Sequence, residues 1–130
     1  MEIAVRVFHG KHILDVSGEL DLYNAHQLRE AFKALVARGG RGFVLNLKGV
    51  RFIDSSGVAA LLSVNAMLAV GGGPLRICNV SAPVRRVLEL TGLNGFLPMA
   101  ASELDALESI GSPGERAQAP RSSGAGAASA

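Results

Sequence analysis

The stretch that decides the fold is residues 43–57, which read FVLNLKGVRFIDSSG. Its first part is an apolar run that predicts a β-strand, and a helical pattern begins just after it, near Val58. Asp54, Ser55 and Ser56 are therefore expected where a strand passes into a helix. A helix start offers free backbone N–H groups and the positive end of the helix dipole, which can hold a capping oxygen or a phosphate. We interpret this junction as a candidate switch site.

The composition limits the classes of protein to consider. A chain of 130 residues with 48% hydrophobic residues fits one domain with a real core. The net charge of +2 and the scattered Lys and Arg residues do not indicate nucleic-acid binding. Cys78 is the only cysteine, which excludes an intrachain disulfide and fits a reducing cytosol. The most apolar stretch, residues 58–70, is too short to span a bilayer. We therefore expect a cytoplasmic protein with no membrane or nucleic-acid partner.

Hydrophobic periodicity organises the first forty residues. Apolar and other residues alternate on both sides of residues 9–11, which predicts a β-hairpin. Residues 18–21 then break that alternation. Apolar residues recur at helical spacing from Leu28 onward, and this predicts a helix from Asn24, as N-cap, to the glycines at residues 39–40.

Further elements follow with similar spacing. They are a central strand over about residues 42–48, a helix from near Ser56 to about Val70, a strand at residues 75–78, a helix capped by Ser81, a last short strand at residues 96–97, and a helix opened by a Ser102–Asp105 capping box. This alternation predicts an α/β fold, a mixed sheet of about four to five strands with about four helices packed on it. Residues 1–110 would form that domain. The Gly-, Ala-, Ser- and Pro-rich residues 111–130 read as a disordered tail.

Catalytic and metal-binding patterns are weak in this sequence. His9, His12 and His26 lack acidic or cysteine neighbours at ligand spacing, so no metal site is expected. The glycines at residues 71–73 lack the Lys-Ser/Thr of a phosphate loop and read as a helix stop. No nucleophile–base pair or cofactor motif is visible, so we expect neither an enzyme nor a bound cofactor.

Three segments carry a resemblance to a known family. They are Gly18-Glu19-Leu20-Asp21 before the first helix, Leu45-Asn46-Leu47 followed by Asp54-Ser55-Ser56-Gly57, and Ile77-Cys78-Asn79-Val80-Ser81 followed by Thr91-Gly92-Leu93. In this order and spacing the chain resembles a STAS domain, specifically the bacterial anti-sigma factor antagonist family. The resemblance covers most of residues 1–110 and implies a small α/β fold with a partner-switching role.

The resemblance also implies partners and site residues. Such an antagonist binds an anti-sigma factor that is also a serine kinase, which frees a sigma factor; the kinase phosphorylates a serine at the helix start, and a serine phosphatase resets the system. Ser56 corresponds to the phosphoacceptor. The expected partner-binding residues are Glu19, Asp21, Asp54, Ser55 and Gly57.

Other readings of the same residues stay open at this point. Ser56 and Ser55 can serve as parts of an N-terminal cap, with Ser55 the second candidate acceptor. Asp54 is favoured as an N-cap or hydrogen-bonding residue over a general base. Glu19 and Asp21 are equally explained as solvated loop residues. The alternative function is a STAS adaptor subunit of a signalling scaffold or transport-associated complex that is never phosphorylated.

The second predicted helix carries no charge. No charged residue occurs between Gly57 and Leu75, and a helix that is apolar all round is normally covered on both sides. We therefore expect Val64, Met67 and their neighbours to face a second subunit, a partner or the tail. A dimer through this helix is one form of that expectation.

Overall fold

A computed structural model describes residues 1–110, and the expected tail at residues 111–130 lies outside them. The elements, in chain order, are β1 (Glu2–Phe8), β2 (Lys11–Leu20), α1 (Ala25–Ala37), β3 (Phe43–Ile53), α2 (Ser55–Gly71), β4 (Leu75–Cys78), α3 (Ala82–Thr91), a 3-10 turn (Asn94–Phe96) and α4 (Glu103–Ile110).

The strands form one sheet in the order β1-β2-β3-β4. β1 pairs antiparallel with β2, while β2–β3 and β3–β4 are parallel pairs. His9 and Gly10 make the hairpin turn with φ values of 52° and 80°, because a two-residue turn that matches strand twist needs positive φ. The predicted mixed α/β fold is confirmed, with four strands and four α-helices in the described residues.

Helices cover both faces of the sheet. Successive side chains of a strand point to opposite faces, so Leu45 of β3 belongs to the larger core and Val44 to the smaller one. The larger core packs under α1, α2 and α3, whereas α4 covers the smaller one. Cys78 lies in the smaller core, as expected of a structural thiol, and burial raises its pKa to about 11.

Three strand boundaries differ from the predictions. β2 continues through Leu20 because two register shifts absorb the break in alternation, with Gly18 at φ 101°. β3 runs on to Ile53, well past residue 48. The predicted strand at residues 96–97 is wrong, because Phe96 ends a 3-10 turn and only Met99, beyond this segment, bridges to β4.

The charge-free helix α2 corrects a second expectation. Val64 is fully buried in the larger core, and Met67 is half-buried against the same core. The exposed positions of the helix beyond its first turn are mostly small: Ala59, Ser63, Ala66, Ala69, Val70 and Gly71. The helix therefore separates residues by size, with large side chains inward. Val64 cannot face a second subunit, so a dimer through this helix loses its main contact.

Candidate functional site

Two strands end side by side at one edge of the sheet. Leu20, the last residue of β2, lies opposite Ile53, the last residue of β3. In parallel pairs the carboxyl ends share an edge, so the segments that follow the two strands meet there. One is the loop at residues 21–24, which leads into α1, and the other is Asp54, which opens α2. The sequence motifs around Glu19 and Ser56 are thereby brought together.

Asp54 joins these two segments through one carboxylate. Its Oδ1 accepts a hydrogen bond from the Gly57 N–H at 3.0 Å, which makes Asp54 the N-cap of α2, as expected. Its Oδ2 accepts from the Leu22 N–H at 3.1 Å, across the gap to the loop. Both oxygens are therefore committed to backbone donors, which argues for a positioning role and against a general base.

The loop itself is held by its own side chains. Asn24 accepts from the Asp21 N–H at 2.8 Å and donates to the Glu19 carbonyl at 2.6 Å. Asp21 Oδ1 accepts from the Tyr23 N–H at 3.0 Å. Asn24 does occupy the N-cap position of α1, but its side chain makes no capping bond to that helix. It fastens the loop instead.

This fixed loop displays two apolar side chains to solvent. Leu22 is 67% exposed and Tyr23 is 83% exposed, although their backbone N–H groups are both bonded to carboxylates. Neither residue was among those singled out from the sequence. The signal was present, because an apolar pair stands between a strand end and a helix N-cap, where turns favour polar residues.

Ser56 is the second residue of α2 and is partly exposed, while Ser55 is the first and is exposed. Among residues 1–110, neither hydroxyl has a hydrogen-bond partner. The capping role expected of the two serines is wrong, because Asp54 fills it. What remains at position 56 is an unbonded hydroxyl at the positive end of a helix dipole.

Gly57 is buried, and its lack of a side chain has a direct structural reason. A Cβ there would collide with the Leu20 carbonyl oxygen and would come within 2.6 Å of Ile53 Cγ1. Glycine thus lets the start of α2 dock closely on the end of β2. This packing role needs no partner.

We name residues 19–23 together with residues 54–56 the docking edge. Glu19 is exposed on it, and Asp21 and Asp54 are partly exposed, so its charge is acidic. In residues 1–110, no three potential metal-ligating side chains (His, Cys, Asp or Glu) lie together. None of the helices in the described part of the chain combines the length and hydropathy needed to cross a bilayer.

The fold described above is that of a STAS domain. The sequence model of that family, described as STAS domain, matches residues 2–106. The chain belongs to the STAS domain family.

The more specific resemblance is also confirmed. The chain is 32% identical over 111 residues to the anti-sigma F factor antagonist of Paenibacillus polymyxa, which covers 85% of this chain and 95% of the relative. A crystal structure of an anti-sigma factor antagonist from Mycobacterium paratuberculosis matches with a TM-score of 0.73 at 30% identity, covering 84% and 92% of the two chains. The structure of SpoIIAA from Bacillus in its phosphorylated form matches with a TM-score of 0.62 at 26% identity, covering 85% and 100%.

Proposed function

We propose that this protein is an anti-sigma factor antagonist that binds an anti-sigma factor through the docking edge and is switched off by phosphorylation of Ser56. The single observation that carries the proposal is an unbonded, partly exposed hydroxyl at the start of α2, beside a loop whose backbone is fixed. The relatives named above supply the class of partner. The switch rests on residues of this chain.

The fixed loop supplies the means of docking. The backbone of Leu22 and Tyr23 is already held in place, so a partner that buries these large side chains pays little entropy for ordering the loop. Tyrosine is enriched among residues that dominate binding energy. Glu19 and Asp21 surround them with negative charge and favour a basic rim on the partner. Asp54 and Gly57 act by holding the two segments, and Ser55 is exposed for contact.

Phosphorylation changes the charge of this edge without changing its shape. The γ-phosphoryl group of ATP passes to Ser56 Oγ, which loses its proton as the Oγ–P bond forms and ADP leaves. The phosphate adds about −1.5 to −2 charges. The start of α2 stabilises that charge, so the domain stays folded. Docking is then disfavoured, because the contact would bury a dianion without a matching charge, since the basic rim of the partner is already paired with Glu19 and Asp21.

The chain provides only the acceptor hydroxyl, so the phosphoryl transfer needs a partner enzyme. We propose that the anti-sigma factor is itself the serine kinase and that a serine phosphatase removes the group. The antagonist itself would be non-enzymatic and would act in the cytoplasm, where sigma factors work. The competing adaptor function predicts that Ser56 is never modified and that changing it leaves binding intact.

The test compares matched substitutions at two neighbouring serines. Five proteins serve as bait in extracts of the cells that produce this protein, and the captured proteins are identified by mass spectrometry. They are wild type, Ser56→Ala, Ser56→Asp, Ser55→Ala and Ser55→Asp. We expect Ser56→Ala to retain an anti-sigma factor and Ser56→Asp to lose it. With the purified partner, the expected loss is about a hundredfold in Kd, since each tenfold corresponds to about 1.4 kcal/mol.

The serine at position 55 is the control. It occupies the exposed first position of the same helix, so Ser55→Ala should bind and be phosphorylated like wild type, and Ser55→Asp measures how much of the loss an equal charge one residue away causes. Incubation with the partner and ATP should phosphorylate wild type but not Ser56→Ala, as read by intact mass. Equal binding by all five proteins, with no modification, would support the adaptor and remove the switch.

A further inference from the structure

The outer strand of the sheet has one unused side. β1 pairs only with β2, and within residues 1–110 nothing pairs with its other edge. It spans seven residues, EIAVRVF, without Pro or Lys, the residues that commonly guard such edges. Val5 and Val7 are 47% and 65% exposed. An exposed apolar edge of this length is a template for pairing with another strand.

Of the two charged side chains of β1, Glu2 and Arg6, the basic one is turned away from that edge. The Arg6 guanidinium donates to Asp15 at 2.6 Å and to Glu103 at 2.6 Å, so it lies over the chain's own sheet. Its side chain remains 47% exposed, so one further acceptor can still reach it. Arg6 is therefore not free to screen the edge, and Glu2, at the start of the strand, is exposed.

We propose that β1 pairs antiparallel with β1 of a second copy, which joins two four-stranded sheets into one. A symmetric antiparallel pair places one residue on the two-fold axis. With Ala4 there, Ile3 lies opposite Val5 of the second copy. Glu2 then lies opposite Arg6 of that copy, so unlike charges meet. An axis at Arg6 would oppose two arginines.

The two faces of this pairing suit their surroundings. Ile3 and Val5 lie opposite Val16 and Leu14 of β2, which belong to the larger core. Pairing would therefore extend that apolar layer across the interface. Glu2 and Arg6 lie on the other face, where Asp15 and Glu103 already hold Arg6.

The inferred dimer is independent of the proposed function. β2 lies between β1 and β3, and the docking edge is at the ends of β2 and β3. Pairing along the side of β1 leaves both docking edges of a dimer open. Failure of the dimer would therefore leave the Ser56 proposal untouched.

Cysteine cross-linking provides the test. Directly opposed residues of an antiparallel pair have Cα atoms about 4.5–5.5 Å apart, within the range of a disulfide. We expect the full-length Ala4→Cys protein to form a covalent dimer under mild oxidation. The native Cys78 is buried, so it should not cross-link. The matched control is Ala69→Cys, an exposed position on α2, which should form no covalent dimer.

Solution measurements complete the test. Sedimentation of wild type should show a concentration-dependent dimer, and Val5→Lys should weaken association at least tenfold while its Tm and far-UV spectrum stay close to wild type. Preferential linking through Ala69→Cys, or through Val5→Cys over Ala4→Cys, overturns the pairing. So does a wild-type monomer at several hundred micromolar. In that case, slow amide exchange in β1 would show that another segment pairs with its edge, and fast exchange would show that the edge is unpaired.

Discussion

Two networks in this domain are each centred on one aspartate, and they do different work. Asp54 accepts only backbone N–H groups, from Gly57 and Leu22, and so fixes the course of the chain at the docking edge. Asp15 accepts from side chains, those of Arg6 and Asn46. The bonds of Asp54 fix the backbone and leave the docking edge exposed. Side-chain partners fasten one element of the fold to another.

The Asp15 network fastens α4 across the sheet. Arg6 of β1 donates to Asp15 of β2 at 2.6 Å and 2.9 Å, and to Glu103 of α4 at 2.6 Å. Asn46 of β3 joins through a 2.9 Å bond to Asp15. The buried Lys11 ammonium adds a bond to the Leu107 carbonyl at 2.9 Å. The Asp15 network thus holds α4 over one face of the sheet, whereas the Asp54 network leaves the docking edge exposed. We call them the closed and the open network.

Among residues of the open network, Gly57 is expected to give the largest change in the free energy of unfolding. We expect Gly57→Ala to lower the free energy of unfolding by about 3 kcal/mol, because the new methyl group meets the Leu20 backbone. Urea denaturation measures the change. Gly71→Ala is the control, since nothing lies within 4 Å of a Cβ added at Gly71. It should stabilise α2 by about 0.5 kcal/mol. Equal effects at both glycines would contradict the close approach of α2 to β2.

Asp54→Ala removes a cap and a loop anchor together. We expect a loss of about 2 kcal/mol in unfolding free energy, toward the upper end for N-caps, with faster amide exchange at Leu22. Ser102→Ala is the control, because Ser102 Oγ accepts from the Asp105 N–H at 3.1 Å at the start of α4. It should cost about 1 kcal/mol and leave Leu22 exchange unchanged. If Leu22 exchange is slow in both variants, Asp54 does not hold the loop.

The closed network predicts a dependence on pH. Hydrogen bonding from Arg6 lowers the pKa of Asp15 below its usual range, so its stabilisation is present above the unfolded pKa of about 3.9 and is lost as pH falls through the folded value. We expect Asp15→Asn to cost about 1 kcal/mol at pH 7 and to converge with wild type as the pH falls below the folded pKa of Asp15. Thermal unfolding across pH measures this.

An exposed ion pair serves as its comparison. Glu30 contacts Lys33 at 3.3 Å with 65% of its side chain exposed, so Glu30→Gln should change stability by less than about 0.5 kcal/mol at every pH. A pH-independent loss in Asp15→Asn would mean that shape, and not charge, supports α4.

The capping bond of the open network was predictable, whereas its bond to Leu22 and the closed network were not. Capping by Asp54 is local chemistry within four residues, so its motif and the helix after it could be located in the sequence. Arg6 and Glu103 are 97 residues apart, and no periodicity connects them. The error at residues 96–97 has the same origin, because an apolar pair resembles a strand until the neighbouring edge is known. In α2, size rather than polarity separates the inner face from the outer, which hydropathy does not register.

Tyr23 is expected to contribute little to stability. It therefore distinguishes a residue that contacts the partner from one that supports the fold. With 83% of the residue exposed, Tyr23→Ala should alter unfolding free energy by less than about 0.5 kcal/mol. It should still weaken binding to the proposed anti-sigma factor at least tenfold, because an aromatic side chain on a fixed backbone is removed from the contact. Leu104→Ala, 63% exposed on α4, should change neither quantity. Titration calorimetry measures the affinities. Unchanged binding by Tyr23→Ala would move the contact to the acidic residues, since the loop would then be held rigid without contributing its exposed side chains to docking.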